Sequence, residues 1–479
     1  MLSGKKIAAN TSFFMISLVL QKILSFVYFT FLARNLGVVG IGQYFFAISF
    51  ASMFSVLIDL GLSPLLIREV ARESEEANKW FHQIFSLKIV FSLITVFIIL
   101  ILNWLLFYDD AVRNLIYFST AIIVVDSFTL LFYAFIRGKQ SLKWESWGVI
   151  MFQILVLVLG FMLMQFSDNV ALFLLVLFLA SLFSLLYSSY ILLLKFKIRL
   201  KFYFSRSLIK SILKICLPFA LAAIFAKTYA YMDTFLLKIF LGDKEVGLYS
   251  VAYKMTFALQ FIPLAFVAAL YPAFSNYFKT DYQKLKKVFA KAFNYLAFIS
   301  LPLAFGTIAL ADEIIAKLYK AQFSYSVLPL QVLIASIPFL FINFALSSLL
   351  NATGREKINT RNLGVVMLCN ILLNLIFIPL LGIWGASLAS SSSTLLLFTL
   401  NLKIALRALN INYRSFLPIL GSLFSTLLMF FLIIYIKEQI HWIFSVFIAM
   451  VVYILLMFAT GSLKWRDFIY VKNSIFKSS

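Results

Sequence analysis

Residues 9–33 read ANTSFFMISLVLQKILSFVYFTFLA, an apolar run with Lys22 at its centre. At a helical rise of about 1.5 Å per residue the run is long enough to cross a hydrocarbon core of about 30 Å. It continues over 34–47 as RNLGVVGIGQYFFA. A second apolar run carries Lys227, 205 positions later, and its flanks match. Leu36-Gly37, Gly42, Tyr44 and Ala47 follow Lys22; Leu241-Gly242, Gly247, Tyr249 and Ala252 follow Lys227 at the same offset. A charge at mid-membrane is costly and by default marks a substrate or ion path. Its recurrence in two halves of one chain places a site where the halves meet.

Of the 479 residues, 63% are hydrophobic and 13% charged, against roughly 25% charged in soluble domains. Reading the apolar runs gives fourteen spans: 9–33, 43–67, 82–106, 114–136, 147–166, 170–194, 215–237, 247–271, 292–310, 327–350, 363–381, 383–402, 415–436 and 441–460. The chain is therefore expected to be an all-α, polytopic membrane protein. The first run is too long for a cleaved signal peptide and is read as span 1.

The net charge of +22 does not indicate nucleic acid, because the cations alternate between loops. The loop set that includes the N-terminus holds 30 of the 41 Lys and Arg; the opposite set holds seven. By the positive-inside rule both termini are cytoplasmic. The excess fixes topology and offers an attraction for anionic lipid.

Spans 1 and 2 match spans 7 and 8. Six spans separate the copies, an even number, so two six-helix lobes (1–194 and 215–406) would be related by an axis along the membrane normal. Residues 407–479 add spans 13 and 14 and a tail. The connector KFKIRLKFYFSRSLIKSILK, residues 195–214, mixes cations with aromatics and predicts an interfacial amphipathic helix. The stretch NYFKTDYQKLKKVFAKAF between spans 8 and 9 predicts another. The matched LG segments predict tight hairpins in which glycine supplies positive φ, with the tyrosines as interfacial anchors. Pro263 and Pro302 fall inside spans 8 and 9 and are candidate hinges.

No enzyme constellation emerges. His82 and His441 each begin a span, which suits a boundary role, and Cys216 and Cys369 read as core-packing residues. There is no GxxxxGK[ST] phosphate loop, so uphill transport would need an ion gradient, the membrane potential or a partner, not ATP bound in that manner. Seven ionisable residues lie within the spans: Lys22, Asp59, Lys88, Asp126, Lys227, Asp233 and Lys254. Lys88 is about 9 Å from its span's end and is expected to snorkel. Lys22 is roughly 18 Å from either end, and Lys227 is about as deep. Such cations need a water-filled cavity, a carboxylate or an anionic ligand. Asp59, Asp126 and Asp233 are the available carboxylates, so ion pairing and ligand binding both remain open. A phosphate or pyrophosphate would suit facing lysines, which bind phosphate as point charges.

The segment Phe31-Leu32-Ala33-Arg34-Asn35-Leu36-Gly37 with Gly40, Gly42 and Tyr44 resembles the N-terminal signature of bacterial polysaccharide flippases. Asp59-Leu60-Gly61-Leu62-Ser63 and Arg68-Glu69-Val70-Ala71-Arg72 extend the likeness. So do Asp233-Thr234, Val246-Gly247-Leu248-Tyr249, Ala252-Tyr253-Lys254 and Ala352-Thr353-Gly354. The resemblance is to the O-antigen and capsule (Wzx-type) group of the multidrug/oligosaccharidyl-lipid/polysaccharide exporter superfamily. It implies an inner-membrane protein that moves undecaprenyl-pyrophosphate-linked oligosaccharide outward by alternating access, with no covalent chemistry and polysaccharide polymerase or assembly proteins as partners. Carried onto this chain, the family's cationic cavity would be formed by Lys22, Lys227 and Lys254, with Arg34 at its outer rim. Asp59, Asp126 and Asp233 are candidates for balancing charge or carrying a coupling ion such as H+ or Na+. The family often uses Arg at cavity positions where this chain has Lys.

Two relatives of that fold are rivals. A peptidoglycan-precursor (lipid II) flippase needs the same cationic cavity. A drug exporter would need an acidic or neutral one, and two central lysines argue against it. A membrane glycosyltransferase would need clustered external carboxylates, but the longest external loop, about residues 311–326, holds only Asp312 and Glu313.

Overall fold

The computed structural model describes residues 4–72, 75–411 and 413–463. Among these every regular element is a helix, with no strand. Thirteen helices are long and apolar enough to cross a membrane. The first of these, Phe13–Asp59, has 47 residues, about 70 Å at helical rise and more than twice the hydrocarbon thickness. Its helical geometry breaks at Gly37 (φ 69°, ψ −176°), which divides it into two stretches each long enough to cross, so the described residues hold fourteen candidate spans. The protein is a multi-pass, all-α membrane protein.

Two compact units form, one from Met1–Lys254 with Ile371–Ile383, the other from Met255–Asn370 with Trp384–Ser479. The first contains α1 (Gly4–Asp59), α2 (Leu62–Arg72), α3 (Ala77–Leu105), α4 (Asp110–Gly138), α5 (Leu142–Leu163), α6 (Val170–Tyr190), α7 (Arg206–Phe240) and most of α8 (Asp243–Ala258). Here α1 packs against α4, α5 and α7, and α4 against α6.

Several sequence expectations are corrected within this unit. Span 2 does not run on to residue 67. Leu60 and Gly61 both take positive φ (41° and 83°), and the chain turns into α2, whose Leu62, Leu65 and Leu66 enter a core with Phe81, Phe135, Ile212 and Cys216. The expected amphipathic helix over 195–214 forms only in its second half, as the start of α7. Residues 196–205 are non-helical and α7 begins at Arg206. This segment is tied to α3 instead: His82 Nε2 bonds Arg199 O (2.7 Å), Tyr203 N donates to Ser86 Oγ (2.9 Å) and Ser205 N to Gln83 Oε1 (2.8 Å). Backbone groups answered by side chains have no need of a helix. His82 therefore fastens the connector, while His441 caps a later helix at Ile443 N.

The sequence repeat is visible as a contact. Gly37 and Gly242, matched at the same offset, both have positive φ (69° and 99°), as the hairpin reading requires. Gly42 and Gly247 touch reciprocally. A Cβ on Gly42 would sit 1.9 Å from Asp243 O, and one on Gly247 would sit 1.9 Å from Val38 O. Val38 and Asp243 are themselves separated by the repeat offset, so the contact is two-fold in character. Tyr44 and Tyr249 are not interfacial anchors; both are buried, because they lie just beyond glycines whose helices meet backbone to backbone.

The second unit holds α9 (Phe261–Thr280), α10 (Tyr282–Ala309), α11 (Ala311–Tyr319), α12 (Val327–Ala335) and α13 (Ile337–Ala352). Most of α14 (Glu356–Leu381), α15 (Ile383–Leu409), α16 (Pro418–Ile436) and α17 (Trp442–Ala459) complete it. Met429 and Ile433 of α16 and Ala449, Tyr453 and Met457 of α17 pack onto the end of α10, and Tyr453 donates to Phe298 O at 2.8 Å. Span 8 is broken at Leu259–Gln260, so Pro263 falls in the first turn of α9, where a missing N–H is harmless. Pro302 lies inside α10 and lines an apolar cavity of about 570 Å³ with Gly306, Met429 and Tyr453. The stretch joining spans 8 and 9 is no separate surface helix. Asp281 ends α9 and caps α10 by accepting from Lys284 N at 2.9 Å.

The glycine contact is testable. Gly42→Ala and Gly247→Ala should each destabilise the protein by about 1–3 kcal/mol, as overpacking does. Gly306→Ala should leave stability unchanged, since its Cβ would meet nothing nearer than 3.8 Å. Thermal midpoints of detergent-purified variants check both.

Candidate cationic site

Lys22 lies in the first half of α1, Lys227 in α7 and Lys254 in α8. All three belong to the first unit and all are half-buried. The Lys22 ammonium is within electrostatic range of both Lys227 and Lys254, so residues scattered over 232 positions form one positive cluster. The reciprocal glycine contact explains the approach of Lys22 and Lys227, since each lies twenty residues before its repeat's glycine.

Aromatic faces lie against two of the cations, Lys227 and Lys254. Lys254 Nζ is 5.3 Å from the centroid of Phe29 and 5.6 Å from that of Phe45, and Lys227 Nζ is 5.4 Å from that of Tyr231. Such contacts contribute about 0.5–2 kcal/mol each. They leave ammonium hydrogens available for an incoming acceptor. Among the described residues neither Lys227 nor Lys254 makes an ion pair with a carboxylate. Arg34 lies about 18 Å along α1 from Lys22, near the break at Gly37 and not beside the three lysines.

The aspartates have other partners. Asp59 pairs with Lys88, whose Nζ donates to Oδ1 at 2.5 Å and is fully buried. Lys88 thus does not snorkel; the carboxylate at the end of α1 draws it inward. Asp59 also accepts from the Ser63 hydroxyl and from Ser63 N (3.4 Å), capping α2, which gives the Asp59-Leu60-Gly61-Leu62-Ser63 segment a structural role. Asp233 accepts from Tyr249 Oη (2.8 Å) and Asn374 Nδ2 (2.7 Å). Asp126 lines a separate cavity of about 120 Å³ with Ser52, Ser119 and Ser181.

Further partners went unseen in the sequence. Lys238 and Asp243 pair at 2.5 Å across the Leu241-Gly242 turn, and Gln43 Nε2 donates to the same carboxylate at 3.3 Å. Arg137 binds Glu145 through two hydrogen bonds. Short spacing across a turn was the available signal for both pairs. For Asn374 with Asp233, 141 residues apart, no local signal exists.

The half-buried cations thus sit together on a multi-helix membrane scaffold. The scaffold aligns with a solved lipid II flippase in its inward closed conformation at a TM-score of 0.77 and 19% identity, covering 95% of this chain and 99% of that one. It aligns with an inward-facing multidrug resistance transporter at 0.67 and 16% identity, covering 81% and 95%. These likenesses establish the fold. The family follows from sequence: the model of the polysaccharide biosynthesis protein family matches residues 7–278, and the chain belongs to that family. A MatE model matches residues 218–376.

Curated relatives include the probable flippase AglR of Haloferax volcanii, 26% identical over 41% of this chain and 42% of that protein. The capsular polysaccharide biosynthesis protein CapF of Staphylococcus aureus is 21% identical over 74% and 87%. The probable lipid II flippase MurJ of Helicobacter pylori is 28% identical over 47% and 49%. The match thus spans under half the length of AglR and of MurJ.

The Asp59–Lys88 pair makes its own prediction. Lys88→Leu or Asp59→Leu alone strands a buried charge and should cost about 3–5 kcal/mol, whereas the double variant should recover most of that loss. Thermal unfolding of the three proteins would show it.

Proposed function

We propose that this protein is a flippase of the inner membrane, with cytoplasmic termini, that carries a lipid-linked oligosaccharide from the cytoplasmic to the outer leaflet. The observation that carries this reading is the cluster of Lys22, Lys227 and Lys254, two of whose members have no carboxylate partner among the described residues. Three like charges repel one another, and an anion with several oxygens relieves the repulsion. A pyrophosphate on a polyprenyl tail has that form: its head can sit among the lysines while its tail stays in lipid. The undecaprenyl-pyrophosphate-linked repeat unit of an O-antigen, capsule or exopolysaccharide is the proposed substrate. Transport is by alternating exposure of the cluster to the two membrane faces, with Pro302, inside α10, as a hinge and Arg34 at the outer rim.

No step breaks a covalent bond, so the work comes from a gradient. Asp126 and Asp233 are the proposed coupling groups, because Asp59 is committed to Lys88. Asp126 faces the hydroxyls of Ser52, Ser119 and Ser181, and Asp233 accepts from Tyr249 and Asn374, groups beside which a proton or a sodium ion can be exchanged. Polysaccharide polymerase or assembly proteins would receive the product.

Lipid II is the second reading, favoured by the likeness to the solved lipid II flippase over nearly the whole chain. The two substrates share the pyrophosphate and differ in the sugar. A cationic drug is disfavoured by the same lysines.

Lys22→Ala and Lys227→Ala should each abolish surface polysaccharide while the protein still reaches the membrane at its normal level. Immunoblots of polysaccharide and of membrane fractions measure both, and normal export in either variant contradicts the reading. Rescue of a strain lacking its lipid II flippase, without rescue of polysaccharide export, would instead select the second reading.

A further inference from the structure

A second group of cations surrounds an open space in the other unit. The first turns of α10 place Gln283, Lys286, Lys287, Lys291 and Asn294 along one face, at the spacing of successive helical turns. Asn410, Ile411 and Ser415, after the end of α15, cross this face and enclose a cavity of about 460 Å³. Its walls are fastened together. Asn294 Nδ2 donates to Ser415 O (3.0 Å), Lys286 Nζ to Asn410 O (3.4 Å) and the Tyr282 hydroxyl to Ala408 O. Beneath them the Phe293 and Phe416 rings lie 4.6 Å apart.

Two features show what the cavity would accept. First, among the described residues its walls supply no carboxylate. The sequence has no Asp or Glu from Tyr282 to Ala311 or from Lys357 to Lys437, and nearby Asp281 is occupied as the cap of α10. Lys403, Arg407 and Arg414 add positive charge on the same chain segments. Second, Asn294 lines the cavity and its Oδ1 receives no hydrogen bond among the described residues, so this side chain offers an acceptor alongside the cations. A phosphodiester answers the lysines, and a hydroxyl answers Asn294 Oδ1. Apolar surface adjoins the cavity as well: Leu417, Leu420 and Phe424 are exposed at the start of α16.

We propose that this cavity binds the headgroup of an anionic phospholipid that carries a hydroxylated head, of which phosphatidylglycerol is the simplest. Lys287 and Lys291 hold the phosphate, Asn294 Oδ1 accepts from a head hydroxyl, and the acyl chains lie along Leu417, Leu420 and Phe424. Basic pockets between membrane helices recognise lipid heads by this chemistry. The site is separate from the lysine cluster and does not depend on what that cluster carries.

The test is native mass spectrometry of the full-length protein in detergent, with phosphatidylglycerol and phosphatidylcholine added in equal amounts. The wild type should retain phosphatidylglycerol roughly tenfold over phosphatidylcholine, as two surface lysines allow. Lys287→Ala/Lys291→Ala should bring the ratio to parity, and Lys22→Ala should leave it at the wild-type value. If the double variant does not fold, Lys287→Glu, at an exposed position, should abolish the preference alone. Equal retention of both lipids by the wild type would overturn the proposal, as would an undiminished preference in these α10 variants. Displacement of phosphatidylglycerol by equimolar glycerol 3-phosphate would assign the cavity to a soluble phosphate and overturn the lipid.

Discussion

The backbone contact between Gly42 and Gly247 organises the first unit. Each glycine admits the carbonyl of a residue four positions before the other, a separation that any side chain would block. Because the two participating segments are repeats, the contact acts as a local two-fold axis, and equivalent residues on either side are drawn together. Lys22 and Lys227 are one such pair. Lys254 breaks the symmetry, since its counterpart is Ser49, buried with its hydroxyl unpartnered. The third charge belongs to one copy only, which gives the cluster a direction.

The internal charges divide into two groups with different physics. Asp59 with Lys88, Asp243 with Lys238 and Glu145 with Arg137 are paired within the protein. Such pairs roughly cancel their own desolvation and serve geometry more than stability. Lys227 and Lys254 of the cluster lie against aromatic faces instead. Cation–π contacts offset part of the cost of burial without consuming the charge, so the cluster keeps a field directed at whatever enters.

Much of this was legible from sequence. Fourteen crossings, the repeat and the deep lysines all follow from apolar run length and a fixed offset, which are local or periodic signals. Connector structure was not legible: cations among aromatics at 195–214 suit an amphipathic helix, but Ser86, Gln83 and His82 of α3 capture the backbone there. Lys88 was misread for a related reason. Its distance from the span end allows snorkelling, and only the turn at Leu60–Gly61 reveals that Asp59 lies within reach. Tyr44 and Tyr249 follow glycines that look like hairpin residues; that those glycines form a buried crossing is a tertiary fact. Within the candidate site, sequence supplied the residues, and the structure supplied their proximity and the separate engagement of the aspartates.

The central claim is that the lysine cluster binds a pyrophosphate. Direct binding of a polyprenyl pyrophosphate to the purified protein, followed by a shift in intrinsic fluorescence, tests it most closely. The wild type should bind, and Lys22→Ala/Lys227→Ala should bind at least tenfold more weakly, about 1.4 kcal/mol, with polyprenol lacking the pyrophosphate failing to compete. Equal affinity in the double variant, or equal competition by the uncharged lipid, would contradict the account.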